Sequence, residues 1–446
     1  MNTDNQEIAR LEEALDTLTG LPSCLADPSE EGLHEVLEEV SRRLQDNLPY
    51  PHPLYAGQMM KAPHRIARLA YMLALWTNPN NHSHEGGRAS TAMEKEAVAA
   101  LAAMFNWQTH IGHLCSGGTI ANLEALWIAA KLRPGTGVLA SAAAHYSHRR
   151  ACELLQLDFH AVATDARGTM DLVNLERHLA DGRTGTVVVT LGTTALGALD
   201  PLPAILALRE QYDFRVHVDA AYGGYFTLVG ELPVEARACF DALAQVDSIT
   251  IDPHKHGLQP YGCGCVLFRD PALAPLYHHQ APYAYFTTDA LHLGEISLEC
   301  SRPGATAVAL WATQRLLPLV RGGRFSRDLA RSLQAAAALY AHLDTDPRFL
   351  TLTQPQLDIV VWAPRGVCAS SISARSHALF EATAAAGLHL ALVSLPAGLL
   401  QEYWREVEFD TPTVTCLRSC LMKPEHADWL ERICCILDSV ADAATV

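Results

Sequence analysis

Two short stretches hold the residues best suited to chemistry: Val216-His-Val-Asp-Ala-Ala-Tyr-Gly-Gly and Ser248-Ile-Thr-Ile-Asp-Pro-His-Lys-His-Gly. The first predicts Asp219 at the carboxyl end of a buried strand, and the second predicts Lys255 in the turn after another. Ligands of open α/β sheets bind at that edge. A carboxylate there can pair with a pyridinium nitrogen and keep it protonated, while a lysine amine forms an imine with an aldehyde. Together they suit pyridoxal 5′-phosphate (PLP), with Lys255 as its Schiff-base lysine. Taken singly, such an Asp is a turn or cap residue and such a Lys a solvated charge. The two motifs in this order and spacing favour the cofactor.

Further candidates surround this pair. Cys115-Ser-Gly-Gly-Thr-Ile-Ala-Asn opens a helix. Glycines and a hydroxyl at a helix start expose backbone N–H groups and the positive dipole end, which makes Gly118 and Thr119 phosphate contacts. His145, in Ala144-His-Tyr-Ser-His, either stacks on the pyridine face and reaches the substrate carboxylate, or caps a helix. Thr194, in Leu191-Gly-Thr-Thr, either meets the cofactor's ring hydroxyl or simply ends a strand. His254 is placed to donate to the phosphate. The pairs His82-Ser-His and His254-Lys-His lack a third ligand of convincing spacing, so no metal is expected.

The elements that must position these residues follow from the apolar pattern. Strands are expected at 137–140, 186–191, 215–218, 248–251 and 263–268, separated by helices such as 121–132, 146–155 and 202–211. Near-continuous apolar strands alternating with helices imply a largely parallel sheet covered on both faces. Residues 1–50 read as two polar helices, the second amphipathic over 31–48. The prolines of Pro49-Tyr-Pro-His-Pro-Leu-Tyr-Ala-Gly make a linker or arm. Val320-Arg-Gly-Gly-Arg marks a boundary. Beyond it lie a helix (327–343), strands (350–352, 358–361), a helix (371–385), a strand (413–418) and a helix from 425. The chain therefore divides into an N-terminal helical arm (1–55), a large α/β domain (56–322) and a small α+β C-terminal domain (323–446).

Bulk properties remove several classes of partner. The chain has 446 residues and a formal net charge of −16, whereas nucleic acids and anionic membranes need a basic face. No apolar run reaches the roughly 18 residues of a membrane span, and the polar N-terminus has no signal-peptide pattern. Twelve scattered cysteines fit reduced thiols in a cytoplasmic protein.

With these pieces assembled, the chain resembles the group II pyridoxal-dependent decarboxylases, which act on aromatic amino acids, tyrosine, glutamate and 2,4-diaminobutyrate. The matching segments are His52-Pro-Leu-Tyr-Ala-Gly, Ser116-Gly-Gly-Thr-Ile-Ala-Asn, His145-Tyr-Ser, Leu191-Gly-Thr-Thr, His217-Val-Asp-Ala-Ala-Tyr-Gly-Gly, Asp252-Pro-His-Lys and Leu417-Arg-Ser-Cys-Leu-Met-Lys-Pro. The resemblance covers roughly residues 50–430. It implies PLP fold type I, with a mainly parallel seven-stranded large domain, and a homodimer whose active sites lie at the interface. It also implies that His145 stacks on the cofactor, Asp219 pairs with the pyridinium, Ala221 packs on the ring and Lys255 forms the Schiff base.

Three features depart from the family's larger members. The stretch 277–299 is short; it holds Tyr283 and Tyr285 but leaves the Cα proton donor unassigned. Leu298-Glu-Cys-Ser-Arg-Pro-Gly-Ala is similar to compact microbial and archaeal members. Asn81-His-Ser-His-Glu-Gly-Gly-Arg-Ala-Ser-Thr replaces a small-residue and proline stretch that shapes specificity, often from the neighbouring subunit.

The expected reaction is α-decarboxylation of an L-amino acid to an amine and carbon dioxide. Carbon–carbon cleavage of the sphingosine-phosphate-lyase kind and transamination use the same cofactor and stay open, because substrate orientation selects the bond. A non-catalytic binding protein is the remote alternative. For the substrate, Arg88 invites an acidic side chain, and Tyr283, Tyr285 and Phe286 an aromatic one. Arg302 and Arg418 either bind a phosphate or second carboxylate, or form interdomain salt bridges.

Overall fold

The computed structural model describes residues 3–18, 32–277 and 291–443. The chain starts with helices α1 (Thr3–Thr17), α2 (Leu33–Leu44), α3 (Arg65–Leu75) and α4 (Arg88–Met104). On α2, Leu33, Val36, Leu37, Val40 and Leu44 recur at helical spacing and are all exposed, so its apolar stripe faces outward.

Seven strands then build the central sheet: β1 (Ile111–Cys115), β2 (Gly137–Ser141), β3 (Phe159–Val162), β4 (Thr184–Thr190), β5 (Arg215–Asp219), β6 (Ser248–Ile251) and β7 (Gly264–Phe268). Their spatial order is β1-β7-β6-β5-β4-β2-β3. The pairs β2–β3, β2–β4, β4–β5 and β5–β6 are parallel. Crossovers between parallel strands need a helix's length of chain, and α5 (Gly118–Leu132), α6 (Ser147–Leu155), α7 (Leu172–Leu179), α8 (Leu202–Ala207) and α9 (Val234–Asp241) lie in the segments linking the strands. Residues 252–263 carry no such helix, so β7 returns antiparallel to β6 and also pairs antiparallel with β1. The turn that makes this reversal contains Lys255.

The strand runs are apolar because both sheet faces are covered: Val187, Val188 and Val189 are completely buried. Helix α5 is buried along much of its length and packs on β5, β6 and β7. Its two buried polar residues are answered, Asn122 by Asp219 and Glu124 by His113 at 3.0 Å. The expected strands are present. β1 and β3 were not legible: Ile-Gly-His-Leu-Cys interrupts its apolar run, and Phe-His-Ala-Val is a mostly exposed edge strand.

After α10 (Gly304–Leu316), which packs across α3 and α4, comes α11 (Arg324–Thr345). A second, antiparallel sheet follows, of β8 (Phe349–Thr351), β9 (Ile359–Pro364), β10 (Ala391–Pro396) and β11 (Thr413–Cys420), in the order β10-β11-β9-β8. Helix α12 (Ala369–Ala385), the short α13 (Ala397–Leu400) and α14 (His426–Ala443) complete it, with Trp362 fully buried at its core. The described cysteines are all free. Among the described residues no helix is long and apolar enough to cross a membrane.

Candidate active site

Asp219 is the last residue of β5, so its side chain emerges at the carboxyl edge of the parallel strands. It is buried, and each of its oxygens accepts a hydrogen bond. Asn122 Nδ2 donates to Oδ2 at 3.0 Å, His148 Nε2 to the same oxygen at 2.9 Å, and the Ala221 amide to Oδ1 at 3.1 Å. Burial on its own raises this carboxyl; donation by His148, its charge, Lys255 and the Ala221 amide outweigh burial and hold it below the usual carboxylate range.

A second layer fixes those donors. His217 Nε2 donates to Asn122 Oδ1 at 2.9 Å, which turns the amide so that its nitrogen faces Asp219. Burial pushes His217 down to about 3. The neutral ring therefore has one N–H, given to Asn122, and its Nδ1 accepts from Ser248 Oγ at 2.9 Å.

Lys255 stands in the β6–β7 turn with Nζ 3.0 Å from Asp252 Oδ2. His254 Nε2 is 3.6 Å from the same oxygen, and its Nδ1 lies 2.8 Å from the Cys263 carbonyl. Opposite lies the start of α5. A Cβ on Gly264 would meet Gly117 Cα at 2.5 Å, and one on Gly118 would meet Asp252 Oδ2 at 2.8 Å. Only glycines let this loop settle on β7 and beside the lysine turn. The Gly118 and Thr119 amides open α5, where N–H groups have no intrahelical acceptor.

His145 precedes α6. Its Nδ1 accepts from the Ser147 amide at 3.3 Å, so it caps the helix, while the ring also lines the cleft. Burial lowers its pKa, which favours the neutral ring.

Lys255, Asp219, His145, Gly118, Thr119, Thr194, Ala221 and His254 thus border one cleft of about 420 Å³. Arg418 stands behind it: its guanidinium donates to the Thr194 carbonyl and to Gln58 Oε1, each at 2.8 Å. Three residues offered as substrate contacts, Arg418 among them, do not line the cleft. Arg302 is buried with Nη1 2.8 Å from Glu94 Oε1 and also bonds the Leu114 carbonyl, so it ties α4 to β1. Arg88 is the exposed first residue of α4. Tyr283, Tyr285 and Phe286 lie outside the described residues.

Asn122, His148 and Asp252 were not singled out by their sequence. Their spacing carried a signal: Asn122 is one helical turn after Gly118, and His148 and Asp252 are each three positions from a named residue.

The cleft fits PLP. Thr190 Oγ1 and Asp252 Oδ1 are buried, line it and meet no hydrogen-bond partner among the described residues. The Gly117–Gly118 cradle offers helix-end amides to a phosphate, and Asp219 offers a carboxylate held ionised to a pyridinium.

Comparison with known proteins agrees. The fold is similar to that of Oryza sativa TDC, solved with PLP and tryptamine (TM-score 0.79, 19% identity, 98% of this chain and 99% of that one). It is also similar to mouse CSAD in apo form (TM-score 0.77, 22% identity, 94% and 91%). The architecture is therefore that of the PLP fold type I enzymes. The pyridoxal-dependent decarboxylase conserved domain matches residues 21–364. An L-tyrosine decarboxylase of Enterococcus faecium is 29% identical over 68% of this chain and 66% of its own length. An L-aspartate decarboxylase of Thermococcus kodakarensis is 29% identical over 73% and 83%, and a probable L-aspartate decarboxylase of Halobacterium salinarum 32% over 68% and 81%. The chain belongs to the pyridoxal-dependent decarboxylase family: it is a carboxy-lyase for amino acids, and its cofactor is PLP.

Proposed function

We propose that this cleft decarboxylates an L-amino acid with an aromatic side chain, and that Lys255 holds PLP there as a Schiff base. The observation that carries the reading is the ionised Asp219 and the Lys255 amine bordering one cleft beside a glycine-built helix start. When bound, PLP supplies an electron sink for the pair left behind as carbon dioxide departs. Asp219 would keep a proton on the pyridine nitrogen; His148, Asn122 and the Ala221 amide keep that carboxylate charged and aimed. The Gly118 and Thr119 amides, with His254 beside them, bind the phosphate. His145 would pack on the ring, with its Nε2–H turned to the substrate carboxylate, and Thr194 would lie beside the ring hydroxyl. Asp252 positions the Lys255 amine.

An aromatic substrate is favoured by the cleft wall, where Met59, Tyr146 and Tyr261 are apolar or aromatic and the two tyrosines are more than half exposed. Aspartate is the second reading, favoured by the archaeal relatives. Carbon dioxide release from a panel of L-amino acids by the PLP-loaded protein separates them. Release from tyrosine and its aromatic analogues supports the first reading, and release from aspartate alone the second. Ketoacid or aldehyde products without carbon dioxide overturn both and revive transamination or carbon–carbon cleavage.

We further propose a cytoplasmic homodimer. The uncovered apolar stripe of α2 supports the partner copy, and the free cysteines support the compartment. The division into 1–55, 56–322 and 323–446 is supported by the two sheets falling on either side of residue 322. Val40→Glu is expected to convert dimer to monomer in sedimentation; an unchanged dimer removes α2 from the interface.

A further inference from the structure

We propose that a second cavity, on the far side of the Lys255 turn, binds a compact dianion of the phosphate class. The cavity is about 310 Å³ and shares no lining residue with the cofactor cleft. Its wall holds four cationic side chains, Lys61, Arg65, Arg324 and Lys423, with His64 and His256, against two carboxylates, Asp328 and Glu425. The starts of three helices converge on it. α3 begins at Arg65, capped by His64, α11 begins at Arg324, and α14 begins at His426, just after the lining residues Pro424 and Glu425. Each start presents N–H groups without intrahelical acceptors and a partial positive charge. Arg65 is already paired with Glu7 at 2.9 Å, so the field that favours an anion comes from these helix starts together with Lys61, Arg324 and Lys423.

Carboxylates reach the wall's lysines only from a distance: Asp358, Glu425 and Asp328 raise Lys61 by less than burial lowers it. Lys61 Nζ donates to the Met422 carbonyl at 3.2 Å, and Lys423 Nζ to the Tyr55 carbonyl at 2.5 Å. Among the described residues neither ammonium is within ion-pair distance of a carboxylate. Burial pushes both lysines down to about 8, and the Lys61 charge lowers Lys423 further. His256 is fully buried at the same wall. Its Nε2 is 3.3 Å from Asp358 Oδ2, while its Nδ1 has no hydrogen-bond partner among the described residues. A tetrahedral oxyanion accepts from several donors at once and carries the charge that both lysines lack. Free phosphate and a phosphate monoester present this same chemistry. Because His256 follows Lys255 in the chain, the two sites share one turn.

The experiment is calorimetric titration of inorganic phosphate, and separately of glycerol 3-phosphate, into the PLP-loaded protein at pH 8. With the cofactor bound, its own phosphate loop is filled. The expected result is one phosphate bound per chain. Proton uptake should accompany it, because an anion raises both lysine pKa values; the uptake is read as a heat that differs between buffers of different ionisation enthalpy. Lys61→Met should abolish binding, and Arg324→Ala, at an exposed position, should weaken it about tenfold. Tighter binding of glycerol 3-phosphate identifies a monoester as the occupant, and binding of inorganic phosphate alone identifies the free anion. Absence of saturable heat with both probes overturns the site. So does binding that Arg324→Ala leaves unchanged, which keeps the test valid if Lys61→Met does not fold.

Discussion

Two buried charge clusters flank the central sheet, and they have opposite uses. Around Asp219, the donors Asn122, His148 and the Ala221 amide hold a carboxylate whose open side borders a cleft shared with Lys255. Around Glu94, one oxygen takes Arg302 and the Leu114 amide, the other takes Asn81 at 2.6 Å, and every contact returns to the protein. Both clusters satisfy their charges and both are nearly inaccessible. The difference is that one faces a cavity and the other clamps α4, β1 and the segment before α10 together. A buried charge marks a reactive site only when its satisfied partners leave a face open to a ligand.

Substitutions in the two clusters should therefore fail in different assays. Lys255→Ala should lower turnover by about a thousand-fold or more, with the folded state retained, as measured by carbon dioxide release and thermal melting. Asp219→Asn keeps the shape but removes the charge, and should cost about a hundred-fold in kcat while PLP still binds. Arg302→Met leaves Glu94 buried without its cation, and should cost about 3–5 kcal/mol in urea unfolding. The fraction that remains folded should still bind PLP with an unaltered imine spectrum. Loss of the spectrum with intact stability would erase the contrast between the clusters.

Asp200 is a third buried carboxylate, and it responds to pH. Among the described residues it meets no cation, and its side chain accepts only from the Thr190 and Met170 amides, each at 2.8 Å. Burial raises its carboxyl to about 7, against the pull of those amides. The native state then holds a proton that the unfolded state loses above about pH 4. Its stabilising effect is complete at lower pH and disappears as pH rises through about 7. Asp200→Asn should flatten the fall in unfolding free energy across that window, the smallest of these effects; an unchanged slope would mean that Asp200 is ionised in the fold.

Much of this site was legible because parallel strands are read twice, once as apolar runs and once by the polar residue that ends each run. Asp219 and the Lys255 turn sit at such ends, whereas the glycines before α5 were legible as a helix start and not through β1. What stayed hidden needed contacts between elements distant in sequence. His148 and Asn122 reach Asp219 from two helices, and no local pattern states that they meet. Arg302 looked like a ligand because a lone arginine after Cys-Ser shows neither its burial nor Glu94, more than 200 positions away. β3 was hidden for a different reason: an exposed edge strand lacks the apolar pattern that marks its neighbours.

Whether Lys255 holds the cofactor can be read directly from the protein. The chain has five lysines, at positions 61, 95, 131, 255 and 423, so borohydride reduction of the PLP-loaded protein followed by peptide mass spectrometry gives an unambiguous answer. A stoichiometric pyridoxyl adduct is expected on the peptide containing Lys255 and none on the other four. An adduct on Lys61 or Lys423 with Lys255 unmodified would contradict that expectation.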